Sequence, residues 1–207
     1  MRYILALLAL VGCSHPPKNP YTHPRTSKYA PIIRLAAGLP TPRFFCSGTV
    51  ISDKYIITAA HCVAGAPYDT DIQISTFEGV VVTNAKIAGF GTQLDVAVLK
   101  GDFSQFEQMP IETNSARIER SFKNSDYMQT CGYPAGGAML CRPFKHAYPF
   151  IFFYSVPGLA VYPGMSGGPV IDLETGRLVG VNSAMTEHEA LLTPVLEFMK
   201  YANVEEN

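Results

Sequence analysis

The sequence predicts an all-β protein made of antiparallel barrels or sandwiches. Short apolar or alternating runs recur from about Ile32 onward, and Gly, Asn, Asp and Pro separate them. Amphipathic helical patterns do not alternate with these runs, which argues against the βαβ units of a parallel sheet. With 207 residues, 47% of them hydrophobic, the chain can bury a substantial core without help from metals.

The predicted strands follow one another at turn-rich intervals. They cover 32–37, 44–51, 55–60, 71–77, 80–87, 94–99, 127–133, 170–172 and 178–183. One helix is predicted and it comes last, because Thr193 can cap it and Pro194 suits its first position. Apolar residues then follow at helical spacing, namely Val195, Leu196 and Met199.

The amino terminus has the pattern of an export signal. Arg2 precedes an unbroken apolar run over 4–11, which Gly12 and Cys13 close. The run is too short to span a membrane, because such a helix rises only about 12 Å against a hydrocarbon core of about 30 Å. It predicts a signal peptide over 1–12. The end of the run resembles the lipobox of bacterial lipoproteins, which implies lipidation of Cys13. An ordinary secretory signal that leaves Cys13 free is the alternative, and both export the protein.

Residues 13–31 are predicted to form an extended basic stalk. Five prolines lie there among polar residues, a composition that cannot pack a core. No acidic residue precedes Asp53, whereas residues 53–207 hold 17 acidic and 10 basic residues, a balance of −7. Beside a lipid anchor the basic charges would be attracted to anionic headgroups, although solubilising linker charges are an equally good explanation. The net charge of −1 offers no field for nucleic acid, and no such partner is expected.

Three pieces of sequence together supply the parts of a serine hydrolase. His61 stands at a predicted strand end, Asp95 interrupts an apolar run, and Ser166 lies among glycines. Singly, each piece is more often structural. Together, His61 would accept the Ser166 hydroxyl proton and return it to the leaving group, while Asp95 would hold the imidazole. The glycines would let the N–H groups of Gly164 and Ser166 approach the developing oxyanion.

At these positions the chain resembles the chymotrypsin-like (trypsin-fold) serine peptidases of bacterial type. The matching motifs occur in that family's order of His, Asp and Ser, and they are FCSGTVI (45–51), TAAHC (58–62), DVAVL (95–99), GMSGGP (164–169) and LVGVNS (178–183). The resemblance implies two perpendicular six-stranded antiparallel β-barrels with a C-terminal helix. They form one peptidase domain over 32–207, with a first barrel at about 32–112 and a second at about 125–207. It also implies a serine endopeptidase that cleaves protein or peptide substrates through an acyl-enzyme, without a cofactor. We expect a monomer.

The resemblance to this family also suggests how the five cysteines pair. Family members often bridge the pair that corresponds here to Cys46 and Cys62. Cys131 and Cys141 then remain beside Cys13. They flank a Gly-rich turn and fit a strand-turn-strand bridge in an oxidising compartment, with two free buried thiols as the alternative. No metal site is expected, because the His residues show no ligand spacing and there is no Cys-x-x-Cys pair.

Departures from the digestive enzymes of the family bear on activation and specificity. Those enzymes carry an Asp just before the nucleophile, where it pairs with a newly cut amino terminus, whereas this chain has Met165. We therefore expect no activation of that kind. The family's primary pocket maps near Ala160 and onto Val181, Asn182 and Ser183. None is charged, which disfavours a preference for Lys or Arg.

Two rival interpretations come from other classes. The Gly-x-Ser-x-Gly run at 164–168 also fits an α/β-hydrolase elbow, with Asp172 and His188 following in order. A helix should then begin after Ser166, yet Pro169 and a strand-like run follow. The second rival is a catalytically inactive peptidase-fold binding protein on the cell surface.

The main prediction is an exported serine endopeptidase. It would be lipid-anchored through Cys13 on the periplasmic or cell-surface side of a bacterial membrane, or otherwise secreted. The domain is short for a double barrel, so trimmed surface loops and an open cleft are expected.

Overall fold

A computed structural model describes residues 31–37, 44–75, 81–186 and 188–202. The predicted signal peptide, Cys13 and most of the predicted stalk lie outside these residues. No helix in the described ranges is long and apolar enough to cross a membrane. The strands are β1 (Ile32–Ala37), β2 (Phe44–Val50), β3 (Tyr55–Thr58), β4 (Ile72–Ser75), β5 (Val81–Gly91), β6 (Val96–Lys100), β7 (Met128–Gly132), β8 (Leu140–Phe144), β9 (Tyr148–Phe150), β10 (Phe153–Pro157), β11 (Pro169–Asp172), β12 (Arg177–Met185) and β13 (Glu189–Pro194), and the α-helices are α1 (Ser115–Asn124) and α2 (Leu196–Ala202).

The first half of the chain closes into a six-stranded antiparallel barrel. Its strand order is β1-β2-β3-β6-β5-β4, so none of the six is left as an edge. Strand β6 is apolar at four successive positions because both of its faces are covered. Ala97 and Leu99 point into the barrel core, while Val96 and Val98 pack in the cluster that faces the second half.

The second half forms a seven-stranded antiparallel sheet in the order β8-β7-β11-β12-β13-β10-β9. If the additional strand β9 is left out, the second half has six strands, and the first of them, β7, pairs with the second and the fourth, β8 and β11. Strand β1 of the barrel likewise pairs with the second and fourth strands of its half, β2 and β4. The remaining strands are also arranged alike in the two halves. Neighbouring strands follow the order β11-β12-β13-β10 in the second half and β4-β5-β6-β3 in the first.

The predicted double-barrel fold class is confirmed. The second half differs from the predicted six-stranded barrel in two respects. Strand β9 is added beside β10, and no pairing between the described strands closes the sheet, whose outer strands are β8 and β9.

The prediction of a single, C-terminal helix is wrong, because α1 lies between the two halves. Asn114 caps it by accepting a hydrogen bond from the Arg117 amide at 3.1 Å. Ile118 and Phe122, four residues apart, are its buried large apolar side chains. Phe122 stacks on Tyr154 of β10, with ring centroids 4.2 Å apart. So narrow an apolar stripe in a polar segment gives a weak helical signal.

The predicted start of the last helix also needs correction. Thr193 and Pro194 are the last residues of β13, and the helix begins at Leu196. Thr193 does not cap the helix, because its hydroxyl donates to the carbonyl oxygen of Leu94 at 3.0 Å. Helix α2 then packs against β5 and β6 of the first barrel, which ties the end of the chain to its first half.

A buried polar contact joins the two halves within the loop that contains Ser166. The Ser47 hydroxyl donates to the carbonyl oxygen of Gly164 and accepts from the Tyr133 amide, both at 2.8 Å. The Tyr133 hydroxyl donates to the carbonyl oxygen of Ile32 at 2.9 Å. Gly132 has to be glycine here, because a Cβ would lie 2.7 Å from Met165 Cα and 2.8 Å from Ser47 Oγ. The loop is thereby fixed against the first barrel.

Candidate active site

His61 lies in a short 3-10 helix, Ala60–Cys62, that follows strand β3. Two constraints fix this turn. Cys62 forms a disulfide with Cys46 of β2, at a Cα–Cα distance of 6.0 Å. Asp95 accepts hydrogen bonds from two successive amides of the turn, because its carbonyl oxygen lies 3.1 Å from the Ala60 nitrogen and its Oδ1 lies 2.9 Å from the His61 nitrogen. The backbone that carries the imidazole is therefore held by the same residue that contacts its ring.

The His61 imidazole and the Asp95 carboxylate form a close pair. His61 Nδ1 lies 2.9 Å from Asp95 Oδ2 and 3.1 Å from Oδ1. This contact places the Nδ1 proton toward the carboxylate, so a neutral ring keeps the lone pair on Nε2. The hydrogen bond to Asp95, together with the negative charge of that carboxylate, raises the pKa of His61 above the ordinary value of 6.5, and burial opposes the rise. The arrangement is that of a base oriented by an acid.

Asp95 adopts a left-handed backbone conformation with φ of 53°. It ends the tight turn between β5 and β6, and its amide donates to the Thr92 carbonyl oxygen at 3.3 Å. Asp is one of the few residue types that enter this region readily. The turn aims both the carbonyl and the carboxylate of Asp95 at the His61 segment.

Ser166 lies in the loop between β10 and β11, and backbone hydrogen bonds hold it on both sides. The Ser166 carbonyl oxygen accepts from the Ser47 amide at 2.8 Å, and the Gly167 amide donates to the Asn182 carbonyl oxygen at 2.7 Å. Gly167 has φ of +82°, and a Cβ there would collide with the Ser47 carbonyl oxygen and Thr58 Oγ1. Only glycine satisfies both the backbone angle and the space.

The amides predicted to bind an oxyanion are those of Gly164 and Ser166. Gly164 has φ of +98°. Among the described residues, neither amide donates to a protein acceptor, whereas the intervening Met165 amide donates to the Tyr162 carbonyl oxygen at 2.9 Å. The amides of Gly164 and Ser166 are thus available as donors, while the Met165 amide between them is already hydrogen-bonded.

His61 and Ser166 line the same cavity, whose volume is about 440 Å³. Within the described ranges no hydrogen bond joins Ser166 Oγ to the His61 ring. Such bonds are often long without substrate and tighten in the complex. No Asp, Glu, Lys or Arg is among the cavity residues, which are Cys46, His61, Cys62, Val161, Tyr162, Pro163, Gly164, Ser166, Asn182, Ser183, Ala184 and Met185.

The structure places two of the four predicted pocket residues in this cavity. Asn182 and Ser183 line it, and the Ser183 hydroxyl lies 2.6 Å from Thr193 Oγ1. Val181 does not line the cavity, because its side chain is fully buried in the core of the second half. Ala160 itself is exposed and lines a neighbouring depression, whereas the next residue, Val161, lines the cavity.

Sequence reasoning missed several residues on both walls of the pocket, including Pro163. Val161 and Tyr162 follow the predicted Ala160, and Ala184 and Met185 continue strand β12 past Ser183. A count of residues back from Ser166 cannot locate the wall to within one position in an irregular loop. The continuation of β12 was available in the sequence as the apolar pair at 184–185.

The α/β-hydrolase interpretation is excluded by the surroundings of its candidate residues. Strand β11 follows Ser166, where that fold requires a helix. Asp172 is buried, and its carboxylate accepts from the Ser121 hydroxyl at 2.5 Å and from the Glu174 amide at 2.9 Å. It therefore holds α1 against β11.

The cysteines beside His61 could form a metal site only if their thiols were free. Cys46, His61 and Cys62 present donor atoms within 4.8 Å of one another. Both sulfurs are consumed in a disulfide, so this cluster offers a metal one ring nitrogen and no thiolate. Cys131 and Cys141 form a second disulfide across β7 and β8, where they face each other in register.

Residues 46–181 match the trypsin-like peptidase domain, and the matched region contains both His61 and Ser166. The chain belongs to the trypsin-like peptidase family. The resemblance seen in the sequence motifs is therefore confirmed for the domain.

Solved structures of bacterial serine proteases share the fold. The serine endoprotease from Yersinia pestis is 24% identical with a TM-score of 0.70, over 84% of this chain and 62% of that one. The active form of the Rv3671c protease from M. tuberculosis is 21% identical with a TM-score of 0.66, over 91% and 88%. The HtrA-type protease AlgW with a bound tripeptide is 22% identical with a TM-score of 0.67, over 84% and 59%. The chain thus spans less than two thirds of the Yersinia and AlgW chains.

Proposed function

We propose that this protein is a serine endopeptidase in which Ser166, His61 and Asp95 form the catalytic triad. The observation that carries the proposal is the His61–Asp95 pair at 2.9 Å, whose imidazole lines the same cavity as Ser166. Among the described residues, the amides of Gly164 and Ser166 donate to no protein acceptor. Membership of the trypsin-like peptidase family supports the same reaction class.

The proposed mechanism follows from these positions. The Ser166 hydroxyl attacks the scissile carbonyl as its proton passes to His61 Nε2, and Asp95 stabilises the imidazolium. The amides of Gly164 and Ser166 donate to the oxygen that becomes negative, and one such donor contributes about 3 kcal/mol. Collapse of this intermediate releases the amine, which takes the proton from His61 and leaves an acyl group on Ser166. Water then attacks the acyl group by the same base catalysis and restores the enzyme.

An extended peptide is the substrate that the cleft best fits. Strand β11 pairs with β12 as far as Val181, so the β12 residues after Asn182 have a free edge on that side among the described strands. An extended segment can add to such an edge by main-chain hydrogen bonds. The tripeptide bound to AlgW supports peptide binding by proteins of this fold. The uncharged cavity wall favours small, apolar or polar side chains over Lys or Arg.

We also propose that activity needs no cut near Ile32. Met165 is fully buried and supplies no carboxylate to pair with a new amino terminus. The carbonyl oxygen of Pro31 accepts a hydrogen bond from the Val50 amide at 2.8 Å, so the chain just before Ile32 is part of the barrel. Mass analysis of active enzyme should find forms that retain residues preceding Ile32. Activity confined to a form cut at that point would contradict the proposal.

Export and lipid anchoring through Cys13 complete the proposed function, and they rest on the sequence pattern of residues 1–13. Labelled palmitate should enter the wild-type chain in a bacterial host and be lost in Cys13→Ser. Unlabelled wild type would leave an ordinary secreted protein.

Hydrolysis of a peptide library tests the enzymatic claim and its substrate class together. The wild type should cleave internal peptide bonds, and Ser166→Ala should lose this activity. Ser104→Ala, at an exposed serine in another part of the surface, is the matched control and should retain full activity. A folded wild-type protein that binds library peptides without cleaving them would instead be the inactive binding protein.

A further inference from the structure

The hairpin between β9 and β10 exposes three successive apolar side chains at its tip. Phe150 is 45% exposed, Ile151 81% and Phe152 52%. Single exposed apolar residues are ordinary on protein surfaces, but a contiguous group at a protruding tip marks a contact with something apolar. We call residues 150–152 the hairpin tip.

Neither backbone preference nor core packing explains the residue at the centre of the hairpin tip. Ile151 has φ of 52°, in the left-handed region that Gly and Asn enter readily and a β-branched residue does not. Its side chain is also among the most exposed large apolar groups of the described chain. An isoleucine here carries a cost in both conformation and hydration, which a buried, apolar environment for its side chain would offset.

The charges of the chain segment that carries the hairpin tip fit an anionic surface. Residues 127–171 contain no Asp or Glu, although residues 53–207 as a whole carry −7. The fixed charges of this segment are Arg142 and Lys145. Arg142 donates to the Tyr162 hydroxyl at 3.0 Å, and Lys145 lies 3.4 Å from Asp126.

Among the described residues, the acidic groups beside β10 come from other elements, and they are Glu119, which is paired with Lys123, and Glu189, which accepts from the Ser155 hydroxyl. The segment that carries the hairpin tip adds no negative charge of its own, which favours an approach to anionic headgroups.

Aromatic residues next to the hairpin tip match the layering of a membrane interface. Tyr148 is 58% exposed and lies two residues before Phe150 on β9, a separation of about 7 Å along a strand. Tyr side chains favour the headgroup level, and shallowly inserted segments reach about 5–10 Å into the boundary with the acyl chains. The hairpin tip would then enter the acyl region while Tyr148 stays at the interface.

The length of chain before the barrel makes this contact reachable. The segment from Ser14 to Pro31 spans at most about 60 Å when fully extended. If Cys13 carries the proposed lipid, the domain is confined to that distance from the bilayer. We infer that the hairpin tip Phe150–Ile151–Phe152 inserts into the surface of an anionic phospholipid bilayer, which gives the domain a second membrane contact. This inference does not depend on the proposed peptidase activity.

The absence of Trp from the chain permits a direct test. Phe152→Trp would place the sole indole in the hairpin tip, and Tyr68→Trp would place it at a 57% exposed aromatic position of the first half as the matched control. The full chain is mixed with vesicles of phosphatidylethanolamine and phosphatidylglycerol that carry brominated acyl chains. Indole emission at 152 should shift to shorter wavelength and be quenched by bromine, whereas emission at 68 should not change.

Quenching by bromine reports how deeply the single indole enters the bilayer. Attachment through a lipid on Cys13 alone would therefore not quench an indole at position 152. Vesicle-bound protein without quenching at 152, or with equal quenching at 152 and 68, would overturn the inference.

A second variant separates insertion from folding. Ile151→Asn, made in the Phe152→Trp background, suits the left-handed backbone, so the fold is retained and thermal unfolding should be unchanged or improved. Insertion should weaken by about tenfold or more, because one large apolar side chain no longer enters the bilayer. Tyr68→Asn in the same background is the control and should leave quenching intact. Undiminished quenching in the Ile151→Asn chain would contradict the inference. So would a concentration-dependent dimer, seen by sedimentation without vesicles, that Ile151→Asn abolishes.

Discussion

The hydroxyl of Thr193 lies 3.0 Å from the carbonyl oxygen of Leu94 and donates to it. Thr193 belongs to the second sheet, and Leu94 immediately precedes Asp95 in the first half. The Ser183 hydroxyl, at 2.6 Å from Thr193 Oγ1, extends this link to the cavity wall. A fully buried pair of hydroxyl groups thus connects the substrate pocket to the turn that carries Asp95, the proposed triad aspartate.

Replacement of Thr193 by Val tests whether this link positions Asp95. The shape is kept, but the Leu94 carbonyl loses its donor, so we expect kcat to fall about tenfold with little change in KM, as for an interaction that acts on the transition state. Stability should fall by about 1–3 kcal/mol, because a buried acceptor loses its partner. Thr193→Ser keeps the hydroxyl and should retain most of the activity. An unchanged kcat in Thr193→Val would show that the link serves folding alone.

The pH dependence of hydrolysis follows from the His61–Asp95 pair. The pKa of His61 is raised above 6.5 mainly by its hydrogen bond to Asp95. Because only the neutral imidazole accepts the Ser166 proton, kcat/KM should fall as the pH is lowered through this raised pKa, with its midpoint above 6.5. Kinetic profiles and NMR titration of the His61 ring should give the same midpoint. A midpoint below that value in both would contradict the pairing.

The His61–Asp95 pair gives stability the opposite pH dependence to that of kcat/KM. A raised pKa means that the folded state favours the imidazolium, so this contribution is full below about pH 6.5 and is lost as the pH rises through the folded-state pKa. In Asp95→Asn the pKa of His61 should return toward its ordinary value, and kcat should fall by about 10⁴. Denaturant unfolding as a function of pH, compared between wild type and Asp95→Asn, measures the stability effect.

The disulfide beside His61 should matter for both stability and activity. Cys46 and Cys62 are 16 residues apart in sequence, for which loop closure predicts a stabilisation of about 3 kcal/mol. Removing this bridge with Cys46→Ala and Cys62→Ala also frees the turn that carries His61, so kcat should fall as well. The control is the Cys131→Ala and Cys141→Ala pair, which removes a bridge on β7 and β8. It should lower stability with a smaller effect on kcat, and equal losses of kcat in the two pairs would contradict a special role for the first bridge.

We expect that Gly167 cannot be replaced by alanine, whereas Gly176, which also has a positive φ, tolerates the replacement. In Gly167→Ala the new Cβ meets the Ser47 carbonyl oxygen and Thr58 Oγ1, so we expect destabilisation of more than about 3 kcal/mol and loss of activity. Gly176 has φ of +68°, and no atom lies within 4 Å of the place that a new methyl group would take, so Gly176→Ala should cost only about 1 kcal/mol. Thermal unfolding of both variants decides the matter, and equal costs would mean that strain rather than collision dominates.

Much of the fold and the whole proposed triad were predictable because their signals are local. Strands such as β1 and β6 are short apolar runs bounded by turn residues, and the motifs around His61, Asp95 and Ser166 are contiguous in sequence. Strands β8, β9 and β10 escaped prediction because prolines and consecutive aromatic residues break the alternation that marks a strand. Strand β13 also escaped, because Thr193 and Pro194 at its end have the pattern of a helix start. The helix α1 escaped because its buried side is narrow.

The substrate pocket could be predicted only in part. Asn182 and Ser183 follow from their place on a regular strand, whereas Val161 and Tyr162 belong to the irregular loop before Ser166. Their position depends on hydrogen bonds across the two halves, such as that from the Ser47 hydroxyl to Gly164. Such contacts between distant parts of the chain leave no periodic signal in the sequence.

The most direct test of the proposed function is the mass of the protein after reaction with a fluorophosphonate probe, which phosphonylates activated serines. We expect one adduct per chain, located at Ser166, that is absent in Ser166→Ala and strongly slowed in His61→Ala. A folded wild-type protein that gains no adduct, or an adduct that persists in Ser166→Ala, would contradict the assignment of Ser166 as the nucleophile.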